Sequence, residues 1–172
     1  AQGAARRGMT TRGAWPDIAG RIEDGRHLLA VRVYFEDTDF SGVVYHANYL
    51  RFMERGRSDY LRLLGIHHSA LDAGAEGEAL AFAIIHMELD FLKPARIDDV
   101  LEVVTHFAGA VTGVRFEVEQ EVRRGSDVLV RARGTAVVIN REGRPRRLPA
   151  TLRALLEKGA GREPAGGPAA IP

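Results

Sequence analysis

The sequence predicts an α+β protein in which one long helix packs against a curved antiparallel sheet of about five strands. Apolar residues recur at spacings of three and four through one stretch of about 16 residues, as they do along one face of a helix. Several other stretches alternate apolar and polar residues, which is typical of strands with one buried face. Because only one long helix is predicted, the simplest arrangement wraps the sheet around it.

The first two elements are a strand at residues 31–36 and the long helix that follows it. The inner face of this strand is predicted to carry Val31, Val33 and Phe35. The apolar stripe of the helix consists of Tyr49, Met53, Gly56, Tyr60 and Leu64. Asn48 is a candidate N-cap, and Gly65 is a candidate C′ residue that ends the helix. Gly56 costs about 1 kcal/mol relative to alanine in a helix, so its presence indicates that the helix backbone lies close to the sheet.

Four further strands and a short helix complete the predicted domain. The strands are expected at residues 80–92, 99–108, 113–123 and 127–139. Alternation is clearest in the third of these, and RRGS at 123–126 predicts a hairpin turn to the fourth. Pro149 is a favourable first helical residue and opens a short helix that runs through Lys158.

Both ends of the chain differ in composition from its middle. Residues 1–26 are rich in Gly, Ala and Arg without a sustained period, and residues 159–172 form a Gly/Ala/Pro tail. Such segments bury too little apolar surface to offset the entropy of ordering them. We therefore expect disordered extensions on either side of one domain at residues 27–158.

The overall composition excludes several classes of function. The chain has 172 residues, 45% of them apolar, and a formal net charge of +1, which gives no argument for nucleic-acid binding. Cysteine is absent, which excludes disulfides, thiolate metal sites and cysteine nucleophiles. No apolar run approaches the roughly 18 residues of a membrane-spanning helix, and no signal peptide is evident. We therefore expect a cytoplasmic protein without stable membrane insertion.

Residues with useful chemistry concentrate in the connection between the first strand and the long helix. This connection holds Asp37, Asp39, Gly42 and His46. A helix N-terminus offers unpaired N–H groups and about half a positive charge, which stabilise a developing oxyanion. Either aspartate is a candidate general base or nucleophile toward a carbonyl bound there, and Gly42 permits a sharp turn or a close approach to a ligand. A purely structural role, in turns and caps, is the alternative.

Two stretches carry a resemblance to a known family. VRVYFEDTDFSGVVYHANYLRFMERGRSDYLRLLGI at 31–66 resembles hotdog-fold thioesterases, in particular the Tol–Pal-associated acyl-CoA thioesterases related to 4-hydroxybenzoyl-CoA thioesterase. DFLKPARIDDVLEV at 90–103 matches the same family in the same order, and the resemblance covers residues 31–139. It implies a hotdog fold, assembly into homodimers or homotetramers, and hydrolysis of acyl-CoA to a free acid and CoA without a metal or other cofactor.

The resemblance also implies roles for individual residues. Asp39 matches the catalytic carboxylate, and His46 matches the position whose backbone N–H polarises the thioester carbonyl. The expected substrate-binding residues are Gly42, Tyr45, Lys93 and Arg96. The last two are candidate contacts for the phosphates of CoA. Asp39 either activates water or attacks the carbonyl directly, and the residues leave both routes open.

The chain departs from the family pattern at two places. Phe35 stands where such relatives often have a tyrosine, so any role of that hydroxyl is lost or passes to Tyr34. The turn GAVTG at 109–113 lacks the basic residues that hold CoA phosphates in the aryl-CoA branch. The CoA contacts must then come from elsewhere, and the carrier of the acyl group stays open.

Other candidate residues are better explained as structural. His67 and His68 are adjacent, so their side chains do not converge on one ligand. His86, Glu88 and Asp90 share a strand face, where a polar surface or a subunit contact is preferred over a metal site. The four arginines of a late loop are expected to be solvated; they are Arg141, Arg144, Arg146 and Arg147.

Three other functions compete with acyl-CoA hydrolysis. One is hydrolysis of acyl groups on acyl carrier protein, which a comparison of the two carriers with one acyl chain distinguishes. A hotdog dehydratase is disfavoured, because the matched motif is the aspartate-type hydrolase signature. The third is a non-catalytic hotdog that binds acyl-CoA or a protein, which a turnover assay with thiol detection would separate from an enzyme.

Overall fold

The computed structural model describes residues 18–160, except for the side chains of residues 109–112. In chain order the elements are β1 (Arg21–Glu23), β2 (Arg26–Arg32), a 3₁₀ turn (Phe35–Asp37), α1 (His46–Leu63), α2 (His68–Asp72), β3 (Leu80–Phe91), β4 (Val100–Thr112), β5 (Arg115–Arg124), β6 (Asp127–Asn140), β7 (Pro145–Arg146) and α3 (Ala150–Gly159). The extensions predicted to be disordered are residues 1–26 and 159–172, and of these residues 1–17 and 161–172 lie outside the described residues. The sheet already begins at Arg21, before the predicted domain boundary at residue 27.

The strands form one antiparallel sheet in the order β1-β2-β4-β5-β6-β3, with β7 paired to β6. The α+β class and the packing of a long helix on an antiparallel sheet are confirmed, as is the hotdog arrangement. The expected number of five strands was too low, since the described residues hold seven. The additional strands β1 and β7 have three and two residues, which is too short for an alternating pattern to show.

The long helix lies against the sheet through Gly56. A Cβ added at Gly56 would lie 2.9 Å from both Thr105 Oγ1 and Val103 Cγ1 on β4. The predicted close approach of helix and sheet is thus confirmed. Large apolar side chains of α1 fill the space on either side of Gly56; they are Tyr49, Phe52, Met53 and Tyr60. On the sheet, β4 to β6 supply the opposing core side chains.

The first predicted strand was placed too late in the chain. The strand β2 ends at Arg32, and Phe35 lies in the 3₁₀ turn with 82% of its surface exposed, rather than beside Val31 and Val33. The backbone N–H of Tyr34 donates to the Asp37 carboxylate at 2.8 Å. The N–H of Tyr34 thus bonds to a side chain three residues on instead of to a neighbouring strand, and the chain turns toward α1.

The ends of the helices agree with the sequence in part. The helix α1 begins at His46 with Tyr45 as its N-cap, so the prediction of Asn48 as N-cap was wrong. Gly65 has φ +86°, and the N–H of Ile66 donates to the carbonyl of Leu61 at 2.8 Å, which confirms the predicted helix end. Pro149 precedes α3 as its N-cap instead of occupying the first turn.

Candidate active site

Asp37 holds the connection between β2 and α1 together. Its side chain is buried, and its carboxylate accepts the N–H of Tyr34. Its carbonyl accepts the N–H of Tyr45 at 2.9 Å and the side-chain amide of Asn48 at 2.8 Å. Asp37 therefore bonds to the chain both before and after the loop, which is a structural role.

Asp39 lies two residues further and is exposed. Its Oδ1 accepts hydrogen bonds from the Ser41 hydroxyl at 2.5 Å and from the Ser41 N–H at 2.8 Å. These two bonds, together with the nearby charge of His46, hold the pKa of the Asp39 carboxyl below its ordinary value of 3.8. Asp39 is therefore a carboxylate anion at neutral pH. Sequence reasoning missed Ser41, although an aspartate followed two residues later by serine is a common turn pattern.

Gly42 shapes the turn that presents Asp39. Its φ is +76°, and its N–H donates to the carbonyl of Asp39 at 3.0 Å. The N–H of Asp39 donates in turn to the carbonyl of Val43 at 2.9 Å. A Cβ at Gly42 would meet no atom within 4 Å, so within this chain glycine is required for its backbone conformation and not for space.

The N-terminus of α1 opens beside this turn. The N–H of Asn48 already donates to the carbonyl of Tyr45 at 2.8 Å. In the part of the chain that the structure describes, no hydrogen-bond acceptor is found for the N–H groups of His46 and Ala47. These first-turn groups carry the positive end of the helix dipole. They are suited to bind a carbonyl oxygen that becomes negative.

Aromatic rings border the helix N-terminus. The imidazole of His46 lies 4.3 Å from the Tyr45 ring and 6.4 Å from the Phe91 ring, measured between centroids. Phe91 is the last residue of β3, so the site lies at the C-terminal end of that strand. The side chains of Tyr45, Phe91 and His46 are exposed. Their rings could therefore contact an acyl group bound at the N-terminus of α1.

The two predicted phosphate contacts are placed differently. Arg96 pairs through its backbone with Val43, which puts it beside the Asp39 turn. The ammonium group of Lys93 lies 2.6 Å from the Asp127 carboxylate in an ion pair. The charge of Lys93 is thus already matched, while Arg96 is exposed next to the site.

A second cluster of polar side chains lies further along α1. The Ser58 hydroxyl donates to Glu54 at 2.9 Å and lies 3.4 Å from the His68 imidazole. It lines a cavity of about 70 Å³ whose apolar walls include Phe82 and Phe116. The serine gives its proton to a carboxylate rather than to the imidazole, so this geometry does not activate a nucleophile.

The remaining candidate residues make surface contacts. His86 lies 3.4 Å from Glu88, and both are exposed. Arg141 and Arg146 pair with the carboxylates of Asp72 and Glu78. Among residues 18–160 there is no group of three or more His, Asp or Glu side chains placed to hold a metal ion. In the same residues, no helix combines the length and apolar character needed to cross a membrane.

Known proteins resemble this chain in sequence and in fold. Residues 41–131 match the family model of the thioesterase superfamily. The acyl-CoA thioesterase YbgC of Haemophilus influenzae is 42% identical over 109 residues, 63% of this chain and 77% of that protein. The acyl-CoA thioester hydrolase YbgC of Escherichia coli O6:H1 is 36% identical over 124 residues, 71% of this chain and 89% of that protein. The crystal structure of a probable thioesterase from Bartonella henselae superposes with a TM-score of 0.70 at 49% identity, covering 72% of this chain and 99% of that one.

Proposed function

This chain belongs to the thioesterase superfamily and is an acyl-CoA thioesterase, and on that premise we propose which of its residues carry out the reaction. The reaction adds water to the thioester carbonyl and releases a free acid and CoA. The observation that carries the assignment is the anionic Asp39 beside the two N–H groups at the start of α1 that have no acceptor among residues 18–160.

The N-terminus of α1 is proposed to polarise the thioester. The carbonyl oxygen accepts the N–H of His46, with Ala47 as the second donor, and becomes the oxyanion of the tetrahedral intermediate. Donors that are already oriented in the helix need no rearrangement during the reaction. The His46 imidazole packs on Tyr45 and positions the bound group, while the positive φ of Gly42 keeps the turn in place.

Asp39 is proposed to supply the reacting carboxylate. Ser41 occupies Oδ1, and Oδ2 has no hydrogen-bond partner among residues 18–160. Oδ2 either takes a proton from the attacking water or attacks the carbonyl carbon itself, and the CoA thiolate leaves and takes up a proton. A single turnover in ¹⁸O-labelled water separates the routes. A general base places the label in the product acid. A nucleophile forms an anhydride with the acyl group, and if water opens this anhydride at the Asp39 carbon, the first product is unlabelled and the label remains in Asp39.

Substitution of the two aspartates tests the assignment. Asp39→Asn keeps the shape and removes the charge, so kcat should fall at least about a hundredfold while acyl-CoA binding persists. Asp37→Asn is the matched control and should lower the free energy of unfolding with a milder kinetic loss, because Asp37 anchors the loop. If Asp39→Asn retains more than about a tenth of the wild-type kcat, and folded Asp37→Asn protein is inactive, the catalytic carboxylate is Asp37.

We further propose that the protein acts in the cytoplasm as a homodimer at least. Acyl-CoA as the substrate supports the location, which cell fractionation tests. The position of the site at the end of β3 supports the assembly, because β3 is the last strand of the sheet order. A second copy placed along β3 would line each site with residues of both chains.

A further inference from the structure

A groove runs along one side of α1. It has a volume of about 1110 Å³ and lies between α1, the end of β2 and the segment that leads into α2. Its floor is apolar and includes the buried side chains of Val31 and Ile66. Three arginines stand along it: Arg32, Arg55 and Arg62. The mechanism proposed above makes no use of this groove.

The groove carries an excess of positive charge. Its acidic residue is Asp59, which accepts hydrogen bonds from His27 Nε2 at 2.7 Å, from the N–H of Gly20 at 2.7 Å and from Arg62 at 3.0 Å. The charge of Asp59 is therefore balanced within the protein. Arg32 and Arg55 are exposed, and neither forms an ion pair within residues 18–160.

On the outer face of the sheet, by contrast, arginines form ion pairs with glutamates. There Arg123 and Arg131 both pair with Glu121, and Arg133 pairs with Glu119. Those arginines are matched by carboxylates on the neighbouring strand. Arg32 and Arg55 lack such partners, so their guanidinium groups are available to an anionic ligand.

One residue, Tyr34, connects the groove to the candidate active site. Tyr34 lines the groove, and its N–H donates to Asp37, whose carbonyl accepts the N–H of Tyr45. Tyr34 is thus attached to the loop that carries Asp39. Along the helix axis, Arg55 lies about 13 Å beyond His46 at 1.5 Å per residue, and Arg62 about 24 Å beyond it. In an acyl-CoA, the phosphates are likewise separated from the thioester, by the length of the flexible pantetheine arm.

We propose that this groove binds the phosphate-bearing nucleotide of CoA, an inference that rests on the proposed function. Arg32 and Arg55 contact the phosphates, with Arg62 at the far end, and the adenine ring covers the apolar floor. Tyr34 borders the pantetheine arm where it turns toward the α1 N-terminus. If the groove holds the nucleotide, basic residues are not needed in the turn at 109–113, which is uncharged. Lys93 is not needed for this purpose either, and its ammonium group pairs with Asp127.

Two thioesters with the same acyl group test the proposal, namely acyl-CoA and S-acyl-pantetheine, which has no phosphate. In the double variant Arg32→Gln/Arg55→Gln, KM for acyl-CoA should rise at least about tenfold with kcat nearly unchanged, as expected for loss of uniform binding. The kinetic constants for acyl-pantetheine should stay at the wild-type values, which also shows that the variant folds. Arg133→Gln, the same change on the outer sheet face, should leave both substrates unaffected.

Direct binding keeps this test separate from the proposed function. Calorimetry with CoA alone should give a Kd at least about tenfold higher for the double variant than for the wild type, whether or not turnover is observed. A wild type that hydrolyses neither substrate contradicts the proposed function and leaves the calorimetric test of the groove in force.

Four results would overturn the groove proposal. An unchanged Kd for CoA in the double variant is the first. An equal rise of KM for acyl-CoA and acyl-pantetheine is the second, since it would mean that the arginines act on something other than the nucleotide. The third is that Arg96→Gln raises KM for acyl-CoA while the double variant does not, which would place the phosphates beside the Asp39 turn. The fourth is that the double variant raises KM for acyl groups carried by acyl carrier protein but not for acyl-CoA. This result would make the groove a docking site for an acidic carrier.

Discussion

Two aspartates separated by one residue illustrate how burial divides roles at the scale of single residues. Asp37 is buried, its carboxylate accepts the N–H of Tyr34, and its backbone carbonyl accepts bonds from Tyr45 and Asn48, so the residue serves the fold. Asp39 is exposed and keeps one carboxylate oxygen without a partner in residues 18–160. A buried carboxylate that accepts a backbone N–H has little access to a water molecule or to a bound thioester. The exposed residue is therefore the one suited to chemistry.

The hydrogen bonds from Ser41 predict the acid limb of the pH–rate profile. They favour the charged form of Asp39 and lower its pKa, so the active carboxylate persists below pH 3.8 and is lost only as the pH falls through the lowered value. Ser41→Ala removes the hydroxyl bond, and the acid limb of kcat/KM should move to higher pH. Measuring kcat/KM against pH for both proteins checks this. An acid limb at the same pH in Ser41→Ala would show that Asp39 does not control it.

His27 predicts a loss of stability in mild acid. Its ring is fully buried, and burial lowers its pKa below 6.5 despite the bond from Nε2 to Asp59. Its Nδ1 has no partner in the part of the chain described, so protonation would create a buried donor without an acceptor. Below pH 6.5 the unfolded chain then binds more protons than the folded one, and the free energy of unfolding should fall until the pH reaches the lowered pKa.

Urea unfolding at a series of pH values measures this effect. His27→Gln should lower the free energy of unfolding at pH 7 by about 1–3 kcal/mol, because it disturbs a buried hydrogen bond. The same variant should flatten the dependence on pH below 6.5. His86→Gln makes the same change at an exposed side chain. In this variant the free energy of unfolding should depend on pH as it does in the wild type. A slope that persists in His27→Gln would assign the acid sensitivity to other groups.

At the scale of elements, the close packing of α1 on β4 depends on one glycine. Gly56→Ala gains about 1 kcal/mol of helix propensity, yet its Cβ would lie 2.9 Å from Thr105 and Val103. Overpacking of this kind costs about 1–3 kcal/mol, so we expect a net loss of about 1 kcal/mol in the free energy of unfolding. Denaturant unfolding provides the measurement. Arg51→Ala, on the exposed side of α1, should change it by less than about 0.5 kcal/mol.

A double variant identifies the cause. If contact with Val103 is responsible, Gly56→Ala should cost less in a Val103→Ala background than in the wild type. Equal costs in the two backgrounds, or a stabilising Gly56→Ala, would mean that the helix moves away from the sheet at little expense.

For the whole molecule, the edge strand β3 predicts the assembly state. It pairs with β6 on one side only among the described strands, and it has 12 residues with Ile84 and Ile85 exposed by 36% and 51%. A long apolar edge is a site for pairing with another chain. Sedimentation at micromolar concentration should therefore show a dimer or a larger closed assembly. Ile85→Lys should shift it toward monomer and reduce activity, whereas Ile22→Lys on the short strand β1 should not. A wild type that is monomeric and active would contradict the prediction.

The sequence by itself determined the features that depend on neighbouring residues. The alternation in β3 to β6, the stripe of α1, the close approach at Gly56 and the left-handed Gly65 all follow from local spacing and backbone preference. The resemblance of residues 31–66 added the family and marked Asp39 and His46.

The tertiary structure decided the features that depend on the hydrogen bonds of individual polar groups and on the packing of elements against one another. The end of β2 follows from the Asp37 carboxylate taking the N–H of Tyr34, and Asn48 lies inside α1 because its amide reaches back to Asp37. The groove beside α1 exists only because β2 and the start of α2 are packed next to that helix. Alternation and periodicity describe which face of an element is apolar. They carry no information on which partner receives the hydrogen bond of a given polar group, and those pairings decided the shape of the site.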